Sequence, residues 1–427
     1  MIATTPPMGW NSWDCYGAAV TEDIVRANAD YMATHLKQYG WEYIVVDIQW
    51  YEPTAKNHYY HNFAPLCMDE YSRLMPAENR FPSAKDGAGF KPLADYVHSL
   101  GLKFGIHMMR GIPRQAVHQN TPIKGSTMTA REIAAQSSIC EWNTDMYGVN
   151  CSTEGGQAYY DSLFELYASW DVDFVKVDDI CRGYPVAEVE AIAAAIRHCG
   201  RDMVLSLSPG PARLDTAEHM KEHANMWRIT DDFWDRWNLL YNMFERAEHW
   251  CIHSGVTKTH GHWPDADMLP IGPINQVYGK ENRTKFTEDE QRTMLTLWCI
   301  MRSPLMIGGD MTGFDAFTTS LVTNPKLIEV LQHTHSAHPL FRKKTEASED
   351  AKAKETCAWM ATYENGDLCI ALFNLGETET EVSAVLPFGK EYTCHDIWSG
   401  KESAITDGVV SAKLTKHGAA VYKITKK

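Results

Sequence analysis

The chain has 427 residues, 44% of them hydrophobic and 22% charged, and a formal net charge of −15. This composition is ordinary for a globular protein and excludes disorder, collagen or coiled coil as a description of the whole chain. No basic stripe offsets the negative charge and no apolar run reaches membrane-helix length, so we expect neither a nucleic-acid nor a membrane partner. The length predicts two domains.

The beginning of the sequence and its cysteines predict a cytoplasmic location. The segment MIATTPPMGW lacks the basic and apolar regions of a signal peptide. Eleven cysteines without a CxxC pair are typical of reduced thiols. Cys140 and Cys151, which lie close together in a polar stretch, are the one pair for which a disulfide stays open.

Up to about residue 337, short β-branched runs alternate with longer amphipathic segments. Predicted strands are MGWNSW (8–13), 43–50, 103–108, 173–179, 203–208, 226–232, THGHW (259–263) and PLMIGGD (304–310), and predicted helices are 23–39, 92–100, 159–170, 186–199, 214–223, 239–251 and 287–300. Apolar strands that alternate with helices predict a parallel sheet covered on both faces. About eight such units in residues 1–337 predict a (β/α)8 barrel rather than an open sheet.

A polar segment, about residues 110–158, interrupts this alternation. It follows the third predicted strand and therefore leaves the end of the barrel where active sites lie. Long loops in compact domains are often functional. We interpret it as a loop that covers the substrate, with Trp142 and Tyr147 as candidate wall residues.

The last part of the chain, residues 338–427, has a different pattern. A polar connection, KKTEASEDAKAKE (343–355), precedes short alternating runs such as CAWMATYE and LCIALFNL. Asn-Gly and Asp-Gly pairs separate some of these runs, as is typical of hairpin turns. The pattern predicts a small antiparallel β-sandwich that packs on the barrel.

Several carboxylates fall at predicted strand ends, where they converge on one side of a barrel. They are Asp47, Asp178, Asp179, Asp231, Asp232, Asp265 and Asp267. Glycoside hydrolysis needs one ionised and one protonated carboxyl, so a ring of acids favours that chemistry. Lys176 and Asp178 share one face of a strand, and the ammonium would keep the carboxylate ionised, which makes Asp178 the candidate nucleophile.

The segment WRITDDFWDRW supplies the second group of candidates. Arg228 can bind a hydroxyl or orient a carboxylate. Asp231 and Asp232 are both candidates for the general acid/base, and composition does not separate them. Among the many tryptophans, Trp13 and Trp50 lie at predicted strand ends, and we expect their rings to stack on a sugar.

Six motifs occur in barrel order: MGWNSW, YIVVDIQW, KFGIH, FVKVDD, WRITDD and HWPDADML. Together they resemble glycoside hydrolase family 27, the α-galactosidase and α-N-acetylgalactosaminidase family. The resemblance implies a retaining exo-α-glycosidase with a (β/α)8 barrel and a β-sandwich, a small carbohydrate as substrate, and neither metal nor cofactor. It implies Asp178 as nucleophile and Asp232 as acid/base. The substrate-binding candidates are Trp13, Asp47, Trp50, His107, Lys176, Ser208, Arg228 and, as a support, Asp267.

Two departures from the family pattern concern the sugar. The strand that reads galactose usually ends in two adjacent aspartates, whereas this chain has Asp47-Ile48, which leaves room for L-arabinopyranose. Small residues at Ser208, Gly210 and Ala212 resemble the version that accommodates an acetamido group. The expected substrates are therefore terminal α-linked galactose or N-acetylgalactosamine, with β-L-arabinopyranosides as the alternative.

Three other functions stay open from the residues alone. Lys176 could form a Schiff base in an aldolase or lyase, although an adjacent carboxylate opposes this. His260, His262, Asp265 and Asp267 could bind zinc in a metal-dependent hydrolase. A sugar-binding protein without catalysis would keep the same pocket.

Overall fold

The computed structural model describes residues 1–275, 282–346, 354–387 and 389–426. They form a barrel followed by a β-sandwich. Among these residues, every helix is too short or too polar to cross a lipid bilayer.

Eight parallel strands form the barrel, as the alternating pattern predicts. They are β1 (Met8–Asn11), β2 (Tyr43–Val46), β3 (Lys103–Met109), β4 (Phe174–Asp178), β5 (Val204–Leu207), β6 (Met226–Arg228), β7 (Gly261–Asp265) and β8 (Leu305–Ile307). Neighbours in the sequence are neighbours in the sheet, and β1 also pairs with β8. A bridge between Leu269 and Ile307 joins the segment after β7 to β8 and closes the ring.

The helices surround the strands. They are α1 (Trp13–Tyr16), α2 (Glu22–Tyr31), α3 (Lys91–Ser99), α4 (Arg114–Gln119), α5 (Ala130–Ile133), α6 (Glu154–Ser169), α7 (Val186–His198), α8 (Ala217–His223), α9 (Trp237–Trp250), α10 (Glu288–Met301), α11 (Ala316–Val322) and α12 (Pro325–His333). The residues predicted as 23–39 continue beyond α2 in further helical turns.

The second strand is shorter than predicted. It ends at Val46, and the side chain of Asp47 accepts the Ile48 N–H at 2.8 Å. The chain therefore turns immediately after the strand, and Trp50 lies in this turn instead of at a strand end.

The polar segment after β3 has secondary structure of its own. It contains α4, α5 and three short strands, Ile112–Pro113, Ala134–Ile139 and Met146–Val149, which form an antiparallel sheet. Cys140 and Cys151 are both free, so no disulfide constrains this segment.

The C-terminal domain is a β-sandwich, as predicted. Its strands are β9 (Thr334–Thr345), β10 (Lys354–Tyr363), β11 (Leu368–Asn374), β12 (Thr380–Val385), β13 (Tyr392–Asp396), β14 (Glu402–Ile405), β15 (Val409–Leu414) and β16 (Ala419–Lys426). A six-stranded sheet, β9-β10-β11-β16-β13-β14, packs on the pair β12-β15, and buried side chains such as Ile370 and Val382 fill the space between them.

The interpretation of residues 343–355 as a connection before the first strand was wrong. Its two ends belong to the paired strands β9 and β10, and β9 begins at Thr334, before the predicted boundary at residue 338. The middle of the predicted connection, 347–353, lies outside the described residues.

Helix α10 lies between the barrel and the sandwich, and nearly all of its side chains are buried. Thr293 donates a hydrogen bond to the His417 carbonyl at 2.6 Å, and Trp398 donates its indole N–H to Thr296 at 3.0 Å. The His417 ring stacks on Trp237 with centroids 3.5 Å apart. The sandwich thus covers a barrel helix directly.

Candidate active site

A cavity of about 250 Å³ opens where the carboxyl ends of the barrel strands converge. Its wall contains six of the predicted site residues, Trp13, Asp47, Lys176, Asp178, Arg228 and Asp232, and also Trp142 of the predicted covering loop. The remaining wall residues are Tyr60, Arg182, Pro209, Asp231 and Met268. A volume of this order suits one small polar ligand.

Asp178, the last residue of β4, is held as a carboxylate. Its side chain is 9% exposed, and Oδ2 lies 3.0 Å from Nε2 of His107 on the neighbouring strand β3. Burial opposes ionisation, but Lys176 and the His107 hydrogen bond outweigh it and hold the pKa of Asp178 well below its usual range. A carboxylate that stays ionised is suited to be a nucleophile.

Lys176, which shares β4 with this carboxylate, reaches across β3 to the end of β2. Its Nζ donates to Oδ2 of Asp47 at 2.8 Å, and Asn11 donates to the same oxygen at 2.6 Å. Burial disfavours both charges, but their attraction raises the pKa of Lys176 and lowers that of Asp47. The pair therefore presents fixed charges of both signs to the cavity, which suits recognition of sugar hydroxyls.

Arg228 organises the opposite side of the cavity. Its guanidinium lies 2.6 Å from Asp267 and 3.1 Å from Asp232. Burial opposes the charge, yet Asp267 and then Asp232 raise the pKa of Arg228 above its ordinary value. Asp267 also accepts the backbone N–H groups of Phe233 and Met268, each at 2.7 Å. It therefore supports Arg228 from behind the wall.

Asp231 and Asp232 differ in their partners. Asp232 bonds to buried Arg228, whereas Asp231 pairs at 2.5 Å with Arg182, whose Nε donates to the Gly210 carbonyl at 2.8 Å. Both carboxylates are more than half exposed, at 61% and 62%. Asp232 contacts Arg228, a buried residue of the cavity wall. This contact favours Asp232 over Asp231 as the proton donor.

Aromatic rings form a continuous side of the cavity. Trp13 stacks on Tyr60 with centroids 5.2 Å apart, and Tyr60 packs against Trp142 at 5.3 Å. Aromatic faces of this kind bind the apolar face of a sugar ring. Trp142, in the connection between Ala134–Ile139 and Met146–Val149, lines the cavity as predicted, whereas Tyr147 lies under Arg114 at 4.8 Å and outside the cavity wall.

Besides Asp267, which lies behind the wall, three predicted substrate-binding residues do not line the cavity. Trp50 was a wrong prediction: it is fully buried, donates its indole N–H to the His107 carbonyl at 2.8 Å and packs on Phe90. His107 is also fully buried and reaches the cavity only through Asp178. Ser208 is buried, and its Oγ lies 3.5 Å from Arg228.

Sequence reasoning missed Tyr60, Arg182, Pro209 and Met268. Tyr60 lies in the aromatic run HYYHNF, which has no helical or strand periodicity to place it. Met268 lies inside the motif HWPDADML, and Pro209 lies between Ser208 and Gly210, so these two had a usable signal in the sequence.

Comparison with known proteins agrees with this geometry. The family model for α-galactosidase A matches residues 5–154 and 115–333, and the model for the α-galactosidase C-terminal β-sandwich domain matches 354–424. The crystal structure of a family 27 β-L-arabinopyranosidase from Geobacillus stearothermophilus is 54% identical, covers 99% of this chain and 97% of its own, and superposes with a TM-score of 0.93. The chain belongs to glycoside hydrolase family 27.

Other family 27 proteins carry different names. A candidate α-N-acetylgalactosaminidase from Bacillus halodurans is 50% identical, covers 99% of this chain and 97% of its own, and has a TM-score of 0.84. The α-galactosidase of Cyamopsis tetragonoloba is 26% identical over 99% of this chain and 87% of its own length. The protein is therefore a glycoside hydrolase, and the family contains more than one sugar specificity.

The site of this family 27 enzyme opposes the two competing chemistries. The ammonium of Lys176 is bonded to Asp47 and stays charged, so its lone pair is not available to attack a carbonyl. His260 bonds to the Lys221 carbonyl at 2.7 Å. Over the described ranges, the side-chain groups spaced to share one metal ion contain neither His260 nor His262.

Proposed function

We propose that this enzyme releases terminal β-L-arabinopyranosyl groups with retention of configuration, by double displacement. The observation that carries the proposal is the common cavity of Asp178, which is held ionised, and Asp232, which is open to solvent. A retaining glycosidase needs one carboxylate for attack and one carboxyl for proton transfer.

In the first step, Asp178 attacks the anomeric carbon while Asp232 donates its proton to the departing glycosidic oxygen. The bond from the anomeric carbon to that oxygen breaks, and a glycosyl ester forms on Asp178. Arg228 remains beside Asp232, where its charge stabilises the new carboxylate.

In the second step, Asp232 takes a proton from water as the water oxygen attacks the anomeric carbon. The ester bond breaks, Asp178 returns to its ionised form, and the sugar leaves with its original configuration. His107 and Lys176 favour this return because both stabilise the charged carboxylate.

The edge of the cavity at Asp47 supports an arabinopyranoside as substrate. β-L-Arabinopyranose has the ring configuration of α-D-galactose but lacks the hydroxymethyl group. Ile48 follows Asp47 and is buried, so a second carboxylate is absent where the family usually has one. The 54% identical arabinopyranosidase supports the same assignment.

Ser208 does not support an N-acetylgalactosaminide. Its hydroxyl faces Arg228, and Pro209, not Ser208, lines the cavity.

The test is a panel of three 4-nitrophenyl glycosides: the β-L-arabinopyranoside, the α-D-galactoside and the α-D-N-acetylgalactosaminide. We expect the highest kcat/KM for the arabinopyranoside and a lower, measurable value for the galactoside. A higher value for either of the other two would overturn the substrate assignment. NMR of the first sugar released tests the mechanism, because an inverted anomer would contradict double displacement.

A further inference from the structure

Two barrel helices bring three side chains of metal-ligand type together. They are Glu190 of α7 and His219 and His223 of α8. One carboxylate oxygen and one nitrogen from each ring lie within 4.8 Å of one another. None of the three residues lines the sugar cavity, and the proposed hydrolysis uses none of them. Their grouping therefore needs a separate explanation.

The two histidines are four residues apart on one helix. Side chains at this spacing lie on the same helix face, and the two rings have centroids 4.2 Å apart. Two imidazoles spaced in this way are a recurrent ligand pair for zinc. The third side chain, Glu190, lies 29 residues before His219 and comes from the neighbouring helix. The fold, not a local sequence motif, therefore completes the group.

The distance between Glu190 and His219 suits two ligands of one ion. Nε2 of His219 lies 3.2 Å from Oε1 of Glu190. Bonds of about 2.0–2.1 Å to a tetrahedral zinc ion separate its ligand atoms by about 3.3–3.4 Å. The two side chains are therefore already at the separation that a shared zinc ion requires.

The Tyr184 hydroxyl holds the other side of the His219 ring. It lies 2.7 Å from Nδ1, the ring nitrogen that is not bonded to Glu190. A hydroxyl can accept the hydrogen of Nδ1, and this tautomer leaves the lone pair of Nε2 for a metal. Histidines that bind metals usually donate their second ring N–H to an outer partner of this kind.

The His223 ring has a nitrogen that no protein group satisfies. Its Nδ1 is shielded from solvent and has no hydrogen-bond partner among the described residues. Buried polar atoms in native proteins are nearly always paired, so an unpaired one calls for an explanation such as a bound ion. No hydrogen bond from Nδ1 competes with a metal for this ring.

A second group of potential ligands, Asp95, His98 and Asp171, differs from the first in its charge balance. Lys91 already forms ion pairs with both of its carboxylates. Across the described ranges of the chain, the Glu190 carboxylate pairs with no lysine or arginine, and its one ion-pair contact is the His219 ring. Only the first group therefore has a carboxylate available to an added cation.

We propose that Glu190, His219 and His223 bind one zinc ion, which links α7 to α8. Two imidazole nitrogens and one carboxylate oxygen are donors that suit zinc better than magnesium or calcium. The Glu190 side chain is 55% exposed, so the ion can enter from solvent and a water molecule can complete the tetrahedron. The ion's role is structural, and the inference goes beyond the proposed function without resting on it.

The test is zinc binding by the full chain, prepared without a histidine tag and dialysed against a chelator. We expect calorimetric titration with zinc chloride to give one ion per chain, and we expect bound zinc to raise Tm. Both the double variant His219→Gln/His223→Gln and the single variant Glu190→Gln should bind zinc at least about tenfold more weakly and lose most of the rise in Tm. Asp95→Asn, in the second group, is the matched control and should bind zinc as wild type does.

Tyr184→Phe separates a positioning role from direct binding. It should keep one zinc ion per chain but weaken the affinity by about tenfold, because the His219 ring loses its outer hydrogen bond. A metal-free Tm close to that of wild type shows that each variant is folded. Because Glu190 is exposed, Glu190→Gln keeps the test valid if the histidine variants do not fold.

A wild type that binds no zinc to saturation would overturn the inference. So would zinc affinity that is unchanged in both the double histidine variant and Glu190→Gln, or that is lost in Asp95→Asn instead. The titration does not use a glycoside, so its failure leaves the proposed function intact. Failure of the glycoside panel likewise leaves the zinc site intact.

Discussion

The two sides of the sugar cavity differ in how firmly they hold a carboxylate. Asp178 is buried, hydrogen-bonded to His107 and kept ionised by the charge of Lys176, whereas Asp232 is 62% exposed and has Arg228 as its side-chain partner. The difference corresponds to two tasks. A nucleophile must be ionised at every encounter, while an acid/base must exchange a proton in each half of the cycle. Substitutions of Asp178 and of Asp232 should therefore have different effects on activity.

The largest effect is expected for Asp178→Asn. The amide cannot form the glycosyl ester, so kcat/KM should fall by about 10³-fold or more on every substrate, including β-L-arabinopyranosyl fluoride. The measurement is initial hydrolysis rate, with thermal unfolding as a check that the fold is retained. A loss below about tenfold would contradict the nucleophile assignment.

Asp232→Asn should give a loss that depends on the leaving group. We expect about 10²- to 10⁴-fold lower kcat/KM for a disaccharide, because its oxygen needs the proton, and a much smaller loss for the fluoride.

Asp231→Asn is the matched control for that variant. Its exposed pair with Arg182 should change the rate by less than about fivefold. If Asp231→Asn produced the leaving-group dependence and Asp232→Asn did not, the two roles would be exchanged.

Lys176→Met should shift the part of the pH dependence of kcat/KM that the ionisation of Asp178 sets. Burial raises the pKa of Asp178 and Lys176 is the strongest influence that lowers it, so removing the ammonium raises that pKa. Since kcat/KM requires the ionised form, its acid limb should shift to higher pH. His107→Phe should shift the limb in the same direction. An unchanged acid limb in both variants would show that these residues do not set the charge of Asp178.

Substitutions of Trp13 and Trp50 should have the smallest effects on the rate of the chemical step. Trp13→Ala removes a cavity face and should raise KM with little loss of stability. Trp50→Phe removes the buried hydrogen bond to His107 and should lower the free energy of unfolding by about 1–3 kcal/mol. Its KM should stay near the wild-type value. Both variants are compared with wild type by denaturant unfolding, which gives the free energy of unfolding, and by steady-state kinetics, which give KM.

The regular parts of the molecule were predictable from the sequence. Buried parallel strands are apolar on both faces, which makes runs such as those around β2 and β4 easy to recognise. The spacing of Lys176 and Asp178 also predicts a shared face, because side chains alternate along a strand. The two hydrogen bonds on this side, from His107 to Asp178 and from Lys176 to Asp47, instead join different strands.

The rest of the site depends on contacts that no local pattern encodes. Trp50 was misplaced because β2 ends where Asp47 binds the following N–H, and the sequence has no glycine or proline to mark this turn. Tyr60 and Arg182 come from irregular segments whose positions are set by the residues they pack on. Side-chain pairs such as Arg182 with Asp231 are likewise decided by tertiary structure.

Helix α10 has a consequence for how the protein can be divided. Its inner face closes the barrel, and its outer face bonds to Trp398 and to the backbone at His417. Cutting the chain after α12 would leave Trp237 and this helix facing water, so a separated barrel would be prone to aggregate. Heating should accordingly unfold the sandwich and the barrel together, because each loses part of its buried surface when the other is lost.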